Sequence, residues 1–254
     1  MSAPLSGRRV VVTRPVGQAQ ELVDRLTALG ADVVALPLTR IVPITESPQI
    51  AAALRDLARY DVIVVTSANG ATCFADQIER AAVAPAQTTT IAAVGQATAD
   101  ALTARGLRVD LVPPLATGGA IVAALAARGV PGLRVLLPRA RAGRPELSEG
   151  LRAAGAVVDD VALYDTMACQ VTVDEFAAAT AGDGVTIVVT APSGIEALAA
   201  LVPDTSGFSP RLVTIGPTTS AAARRFGFEI AAEASEQTAA ALVVAVCELP
   251  PAGR

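Results

Sequence analysis

The chain has 254 residues, with 20 basic side chains against 24 acidic ones, no His and no Trp, and every basic residue is Arg. That inventory excludes an imidazole base, a Ser-His-Asp triad, a His metal ligand and a lysine Schiff base, leaving Asp, Glu, Tyr or the substrate itself to move protons. A formal net charge of −4 gives no global attraction to nucleic acid or an anionic membrane, and 52% apolar against 17% charged residues is enough for a buried core.

Short Val- and Ile-rich runs alternate with Ala- and Leu-rich stretches. In chain order the expected strands are 9–13, 32–38, 61–66, 90–94, 108–112, 134–138, 157–163, 186–190, 211–215 and 228–232. The expected helices are 17–29, 70–80, 96–105, 118–128, 145–154, 194–202, 217–226 and 237–248. Most strand runs are continuously apolar rather than alternating, as strands buried on both faces of a parallel sheet are. This predicts an α/β fold of parallel sheets flanked by helices. Gly30, Gly106, Gly129, Gly155 and Gly227 fall just past helices, where a left-handed cap is expected. The stretches 39–48 and 164–175 lack helical periodicity and read as extended crossings. Cys73, Cys169 and Cys247 are scattered, odd in number and without metal spacing, which suits reduced thiols in a cytoplasmic protein. The first residues carry no apolar leader, and no apolar run reaches the roughly 18 residues a membrane helix needs.

An internal repeat organises these elements. RVVVTRP at 9–15 resembles RVLLPRA at 134–140, an offset of 125, and Gly30 matches Gly155 at the same offset. YDVIVVTSANG at 60–70 resembles GVTIVVTAPSG at 184–194, and residues 93–110 resemble 214–231 at an offset of 121. Each copy reads βαβ, linker, αβαβαβα. Two similar units predict two similar domains with a ligand cleft between them. If the chain crosses at both linkers, domain one is discontinuous, 1–38 with 172–254, and domain two is 47–163. Residues 39–46 and 164–171 then form the interdomain linkers. A simple split near residue 130 remains possible on spacing alone.

Ligands of parallel α/β sheets bind beyond the carboxyl ends of the strands. Those ends read Thr13-Arg14-Pro15, Thr66-Ser67-Ala68-Asn69-Gly70, Gly95-Gln96-Ala97-Thr98, Pro138-Arg139, Thr190-Ala191-Pro192-Ser193-Gly194 and Gly216-Pro217-Thr218-Thr219. Each offers backbone N–H groups at the positive end of a helix dipole, an anion site that needs no Lys. Taken singly, such Ser, Thr and Asn residues are helix caps. Six turns at one cleft suit a ligand with many carboxylates or phosphates. Arg14 and Arg139 hold equivalent repeat positions and could fork onto carboxylates. Tyr164, at the expected junction, could donate a proton. Tyr60 reads as structural, and Asp159, Asp160 and Asp165 as solvated charges. No Walker A or G-x-G-x-x-G motif supports a nucleotide.

These motifs together resemble the uroporphyrinogen-III synthase family. The matching stretches are VVVTRP, LPLTRIVPI, YDVIVVTSANGATCF, AAVGQATADALTARGLRVDLVP, VLLPRARAGRPELSEGLRAAGAVVDDVALYDT and TIGPTTSAAARRFGFEIAAEASEQTAAALV, spanning about residues 8–246. The resemblance implies the discontinuous two-domain arrangement with a two-stranded linker. It implies cyclisation of the linear tetrapyrrole hydroxymethylbilane, with loss of water and inversion of ring D, to give uroporphyrinogen III. It implies no cofactor and no metal. Carried over by motif, Tyr164 would be the proton donor to the leaving hydroxyl. By the same carry-over Arg14, Ser67, Asn69, Thr98, Ser193, Thr218 and Thr219 would hold the substrate, and Gly95, Arg139 and Gly216 join them from their places in the strand-end turns. Ala191 stands where the family commonly has Ser. Handover from hydroxymethylbilane synthase, a cytoplasmic monomer, and no nucleic-acid or membrane partner complete the expectation. A two-lobed non-enzymatic binding or sensor protein is the competing reading, and a homologue that has lost turnover is a third.

Overall fold

The computed structural model describes residues 3–250. The first half of the chain forms β1 (Arg9–Val12), α1 (Val16–Ala28), β2 (Asp32–Ala35), β3 (Thr39–Pro43), α2 (Pro48–Arg55), β4 (Val62–Val65), α3 (Ala68–Ala81), β5 (Thr90–Ala93), α4 (Gln96–Ala104) and α5 (Gly118–Ala126). The second half forms β6 (Arg134–Ala140), α6 (Glu146–Ala153), β7 (Val157–Ala168), α7 (Val173–Ala179), β8 (Thr186–Val189), α8 (Pro192–Leu201), β9 (Arg211–Thr214), α9 (Pro217–Arg225), β10 (Ile230–Glu233) and α10 (Ala239–Glu248).

The sequence explains these elements locally. In α1 the buried residues Ala19, Leu22 and Leu26 recur at helical spacing and form one apolar stripe. Gly30 and Gly155 follow α1 and α6 at φ +87° and +91°, the left-handed region a side chain resists. The other three glycines expected past helices also have positive φ. Residues 108–112 do not form the expected strand; they contribute a single bridge, Leu111 beside Ala92. The Asp110 carboxylate accepts the Ile91 N–H, and Pro113 and Pro114 follow with no N–H to offer a ladder. Residues 164–175 are not extended throughout. β7 ends at Ala168, and Thr172 caps α7 in a reciprocal capping box with Glu175, a T-x-x-E signal present in the sequence. Residues 39–48 hold β3, then Ser47 and Pro48 open α2.

The described residues form two five-stranded sheets, ordered β10-β9-β8-β1-β2 and β3-β7-β6-β4-β5. All neighbours in the first are parallel, as are β7–β6, β6–β4 and β4–β5 in the second. The chain accordingly divides into two compact units: one ends at Arg40 and resumes at Met167, and the other is Ile41–Thr166. Each unit combines the front of one repeat copy with the back of the other. The first takes β1 and β2 from copy one and β8, β9 and β10 from copy two. The second takes β6 and β7 from copy two and β4, β5 and the Leu111 bridge from copy one. Within each unit strand order reverses beside the copy's first strand, between β1 and β8 and between β6 and β4.

Each sheet is covered on both faces. In the first unit one face packs Leu22, Leu26 and Leu242 on Val10 and Val12, and the other packs Ile195, Leu198 and Phe228 on Val11 and Ile187. In the second, Phe74, Ile78 and Leu102 cover Ile63 and Val65, while Ile121, Leu125 and Leu151 cover Val62 and Val64. Consecutive strand residues therefore bury on opposite faces, which is why the runs are continuously apolar. Among the described residues, no helix is long and apolar enough to cross a membrane.

Candidate functional site

In the second unit, the strand ends meet at the reversal between β4 and β6. β4 stops at Val65, and Ser67 caps α3 by accepting the Gly70 N–H at 3.0 Å. The same Ser67 oxygen lies 2.8 Å from the Tyr164 phenol oxygen. A register shift brings Tyr164 there: Arg139 pairs with Ala162, but Ala140 pairs with Tyr164, so β7 bulges at Leu163. Regular alternation would send residues 163 and 164 to opposite faces. The bulge turns both into the core against Phe74 and Cys73. Burial raises the Tyr164 pKa above its ordinary 10.0, partly opposed by the Ser67 hydrogen bond. The phenol is therefore a neutral donor throughout the physiological range.

Tyr60, the other phenol, is spoken for. It donates to Asp159 at 2.7 Å and lies under the Arg134 guanidinium, so burial and the carboxylate raise its pKa strongly.

Arg139 leaves β6 on the opposite face. Its Nε donates to Asp160 at 2.7 Å, a second guanidinium nitrogen reaches the other Asp160 oxygen, and a third binds the Arg144 carbonyl. Asp160 is thus an ion-pair partner and Asp159 a phenol and Arg134 partner, where solvated charges were expected. Asp165 pairs with Arg141 at 3.1 Å. Arg139 also lines a depression of about 400 Å³ with Thr66, Gly118, Gly119 and Arg144. A larger depression of about 590 Å³, lined by α2 and the end of α3, contains none of the strand-end turns. The remaining expected residues of this unit sit at helix starts. Asn69 is half-buried in the first turn of α3, Gly95 precedes α4 with no side-chain cap, and Thr98 is buried in α4's first turn.

In the first unit the turns after β1, β8 and β9 lead into helices with no side-chain cap, at Pro15, Ala191 and Gly216. Pro192 and Pro217 open α8 and α9 without an N–H, so the N–H groups of Ser193 and Thr218, one residue on, are the ones a helix start leaves for an anion. Ala191 has the extended backbone of a cap residue but no oxygen to cap with. Ser193 lies inside the first turn of α8, half-buried; Thr218 is exposed and Thr219 buried in that of α9. Arg14 is half-buried, and its Nε is buried with no hydrogen-bond partner among the described residues. Burial lowers its pKa, and the nearby Glu21 charge opposes that. Sequence reasoning missed a hydroxyl–carboxylate chain, Thr214, Ser220 and Glu233, at the ends of β9 and β10. Nothing in the local pattern announces it, because its members are 6 and 13 residues apart. Among the described residues, no group of three or more His, Cys, Asp or Glu side chains could hold a metal ion.

Two α/β units with largely parallel sheets, helices on both faces and helix starts at their strand ends define the class of fold. The family model described as uroporphyrinogen-III synthase HemD matches residues 20–244, and the chain belongs to that family. It is 29% identical over 229 residues to the porphyrin biosynthesis protein HemD of Ruminiclostridium josui, covering 89% of this chain and 45% of that one. It is 30% identical over 169 residues to the uroporphyrinogen-III synthase of Synechococcus elongatus, covering 64% and 62%. The chain therefore spans about half to two thirds of the length of these curated relatives. A mutant uroporphyrinogen III synthase from Thermus thermophilus superposes with a TM-score of 0.66 at 18% identity, over 94% of this chain and 96% of that one. Uroporphyrinogen-III synthetase from Helicobacter pylori gives 0.64 at 15% identity, over 96% and 100%. Those two likenesses concern the fold.

Proposed function

We infer that the chain cyclises hydroxymethylbilane to uroporphyrinogen III, with loss of water and inversion of ring D. The observation that carries this reading is the Tyr164–Ser67 hydroxyl pair, 2.8 Å apart at the strand ends of the second unit. The chain holds two phenols, and Asp159 occupies the Tyr60 proton. Tyr164 is thus the phenol left to protonate the departing hydroxyl. In the productive arrangement Ser67 donates to the phenol oxygen, which leaves the Tyr164 proton free for the leaving group. Loss of that hydroxyl generates a cation stabilised by the substrate's own pyrrole, so the protein's larger task is to hold the chain for attack at the substituted ring D carbon.

Holding falls to distributed donors. The substrate carries eight carboxylates. Open helix starts at Pro15, Gly95, Ala191 and Gly216, with Asn69, Thr98, Ser193, Thr218 and Thr219 in first turns, supply N–H and hydroxyl donors. Arg14 brings a cation with an unused Nε, and Arg139 brings one braced by Asp160. The discontinuous domains, 1–38 with 172–254 and 47–163, belong to this reading, as do a monomeric state and receipt of the bilane from hydroxymethylbilane synthase.

The test is isomer analysis. The protein is added to hydroxymethylbilane generated in situ, and the oxidised products are separated. Unassisted closure gives the symmetric type I ring, so accumulation of type III supports the assignment. Type I alone from folded protein overturns it.

A further inference from the structure

The first unit carries a polar chain, two buried hydroxyls ending on the exposed Glu233, that its sibling unit lacks. Thr214, the last residue of β9, and Ser220, in the first turn of α9, are both fully buried, with hydroxyl oxygens 2.6 Å apart. The Ser220 hydroxyl donates to the carboxylate of Glu233, the last residue of β10. A hydroxyl has one proton, so with that of Ser220 committed to Glu233, Thr214 donates to Ser220. The 121-residue offset between the copies puts Ala93, Ala99 and Val112 at these positions in the second unit. Ala93 and Ala99 lie there in an apolar cluster. The fold therefore fills the same places without polar atoms. Burying two hydroxyls exacts a desolvation cost that only their own bonds offset, so packing does not account for the chain.

Its geometry gives the reason. The Ser220 N–H closes the first turn of α9 on the Gly216 carbonyl at 3.1 Å, while its side chain grips the ends of β9 and β10. Gly216 contributes no cap, and Thr218 is exposed. Pro217 has no N–H, and those of Thr219 and Ser220 close on the Gly216 carbonyl, so the turn leaves the Thr218 N–H outside the helix's own bonds and is anchored from behind, to two strand ends at once. We propose that Thr214, Ser220 and Glu233 are positioning residues. They hold the Gly216–Thr219 turn at the angle and depth at which it receives one carboxylate of the substrate. The inference rests on the synthase reading and names the device that makes this turn a stiffer anion holder than its sibling at Gly95–Thr98.

The experiment transplants the sibling's residues, Thr214→Ala, Ser220→Ala and Glu233→Val together, and measures turnover of hydroxymethylbilane to the type III isomer. A turn that grips a remote carboxylate contributes equally to ground and transition states, so KM is expected to rise about tenfold with kcat within about twofold. Glu233→Gln keeps an acceptor oxygen for Ser220 and is expected to stay within about threefold of the parent KM, which a requirement for the charge would not allow. Amide exchange at residues 219–221, whose N–H groups the first turn binds, is expected to quicken about tenfold in the transplant, with the rest of the unit unchanged. If the transplant does not fold, Ser220→Ala is measured the same way. Parent-like KM together with parent-like exchange in the folded variant overturns the positioning role. Type I product alone from the unsubstituted protein overturns the synthase reading instead, and the exchange comparison still decides whether the chain anchors the turn.

Discussion

Tyr164 owes its position to one irregular residue. A strand that kept its register past Arg139 would bury Leu163 and send Tyr164 to the other face; the bulge sends both inward. Tyr164→Phe keeps the packing and removes the proton. On the proposed synthase reading, turnover is expected to fall on the order of 10²-fold, the low end for a general acid, because the substrate's pyrrole would share the work. Thermal stability should change little, and steady-state kinetics with a melting scan check both. Asp160 is the other decisive residue. Asp160→Ala leaves the Arg139 guanidinium, itself nine-tenths buried, without its carboxylate. The loss is expected at about 3 kcal/mol in urea unfolding, at the low end because Asp160 keeps a quarter of its side chain exposed. Proximity in sequence revealed neither partnership. Ser67 precedes Tyr164 by 97 residues, and only strand order brings them together.

Elements were legible where periodicity and punctuation agree. The helix after β1 has its apolar stripe and its terminal glycine, and structure and sequence differ by one residue at each end. Legibility failed where a side chain or a proline replaced a ladder bond, as Asp110 and Pro113 do at residues 108–112. Caps carry the testable consequences at this scale. Ala191 already has the backbone of a cap, φ −154° and ψ 151°, so Ala191→Ser is expected to stabilise α8 by about 1 kcal/mol. A melting temperature no higher than the parent's contradicts this. The Glu175 carboxylate accepts from the Thr172 N–H and hydroxyl, which hold its pKa below the ordinary 4.5. A depressed carboxylate supports the fold above its unfolded pKa and loses that support as pH falls through the folded value. The start of α7 is therefore expected to fray below about pH 4.5, read as faster amide exchange at residues 173–176, and Glu175→Gln should remove that pH dependence.

At the scale of the whole molecule, alkaline pH is the sensitive side. Tyr60 and Tyr164 both have pKa values raised above 10.0, chiefly by burial. The folded protein thus binds their protons more tightly than the unfolded chain does. That stability is fully present below about pH 10 and is lost as pH climbs through the folded values. Urea midpoints should fall between about pH 10 and 12, and Tyr60→Phe should flatten the fall. Burial likewise pushes the Cys73 thiol up to about 11, so Cys73 is expected to resist thiol reagents at pH 8 until the protein unfolds.

The sequence by itself determined the class of fold, the repeat and the strand-end turns, because each depends on residues close in the chain: apolar runs, glycine caps and small residues at helix starts. It also carried the family resemblance, whose motifs are contiguous. The tertiary structure alone decided which face Tyr164 occupies and which carboxylates are committed to Tyr60 and Arg139, and it chose between the two divisions of the repeat that spacing left open. It alone revealed the chain from Thr214 through Ser220 to Glu233. All of these follow from strand order and register, which join residues far apart in sequence, and a one-residue shift in register reverses the face a side chain takes. No local pattern encodes such a shift, since its energy lies in the packing of the partners it selects.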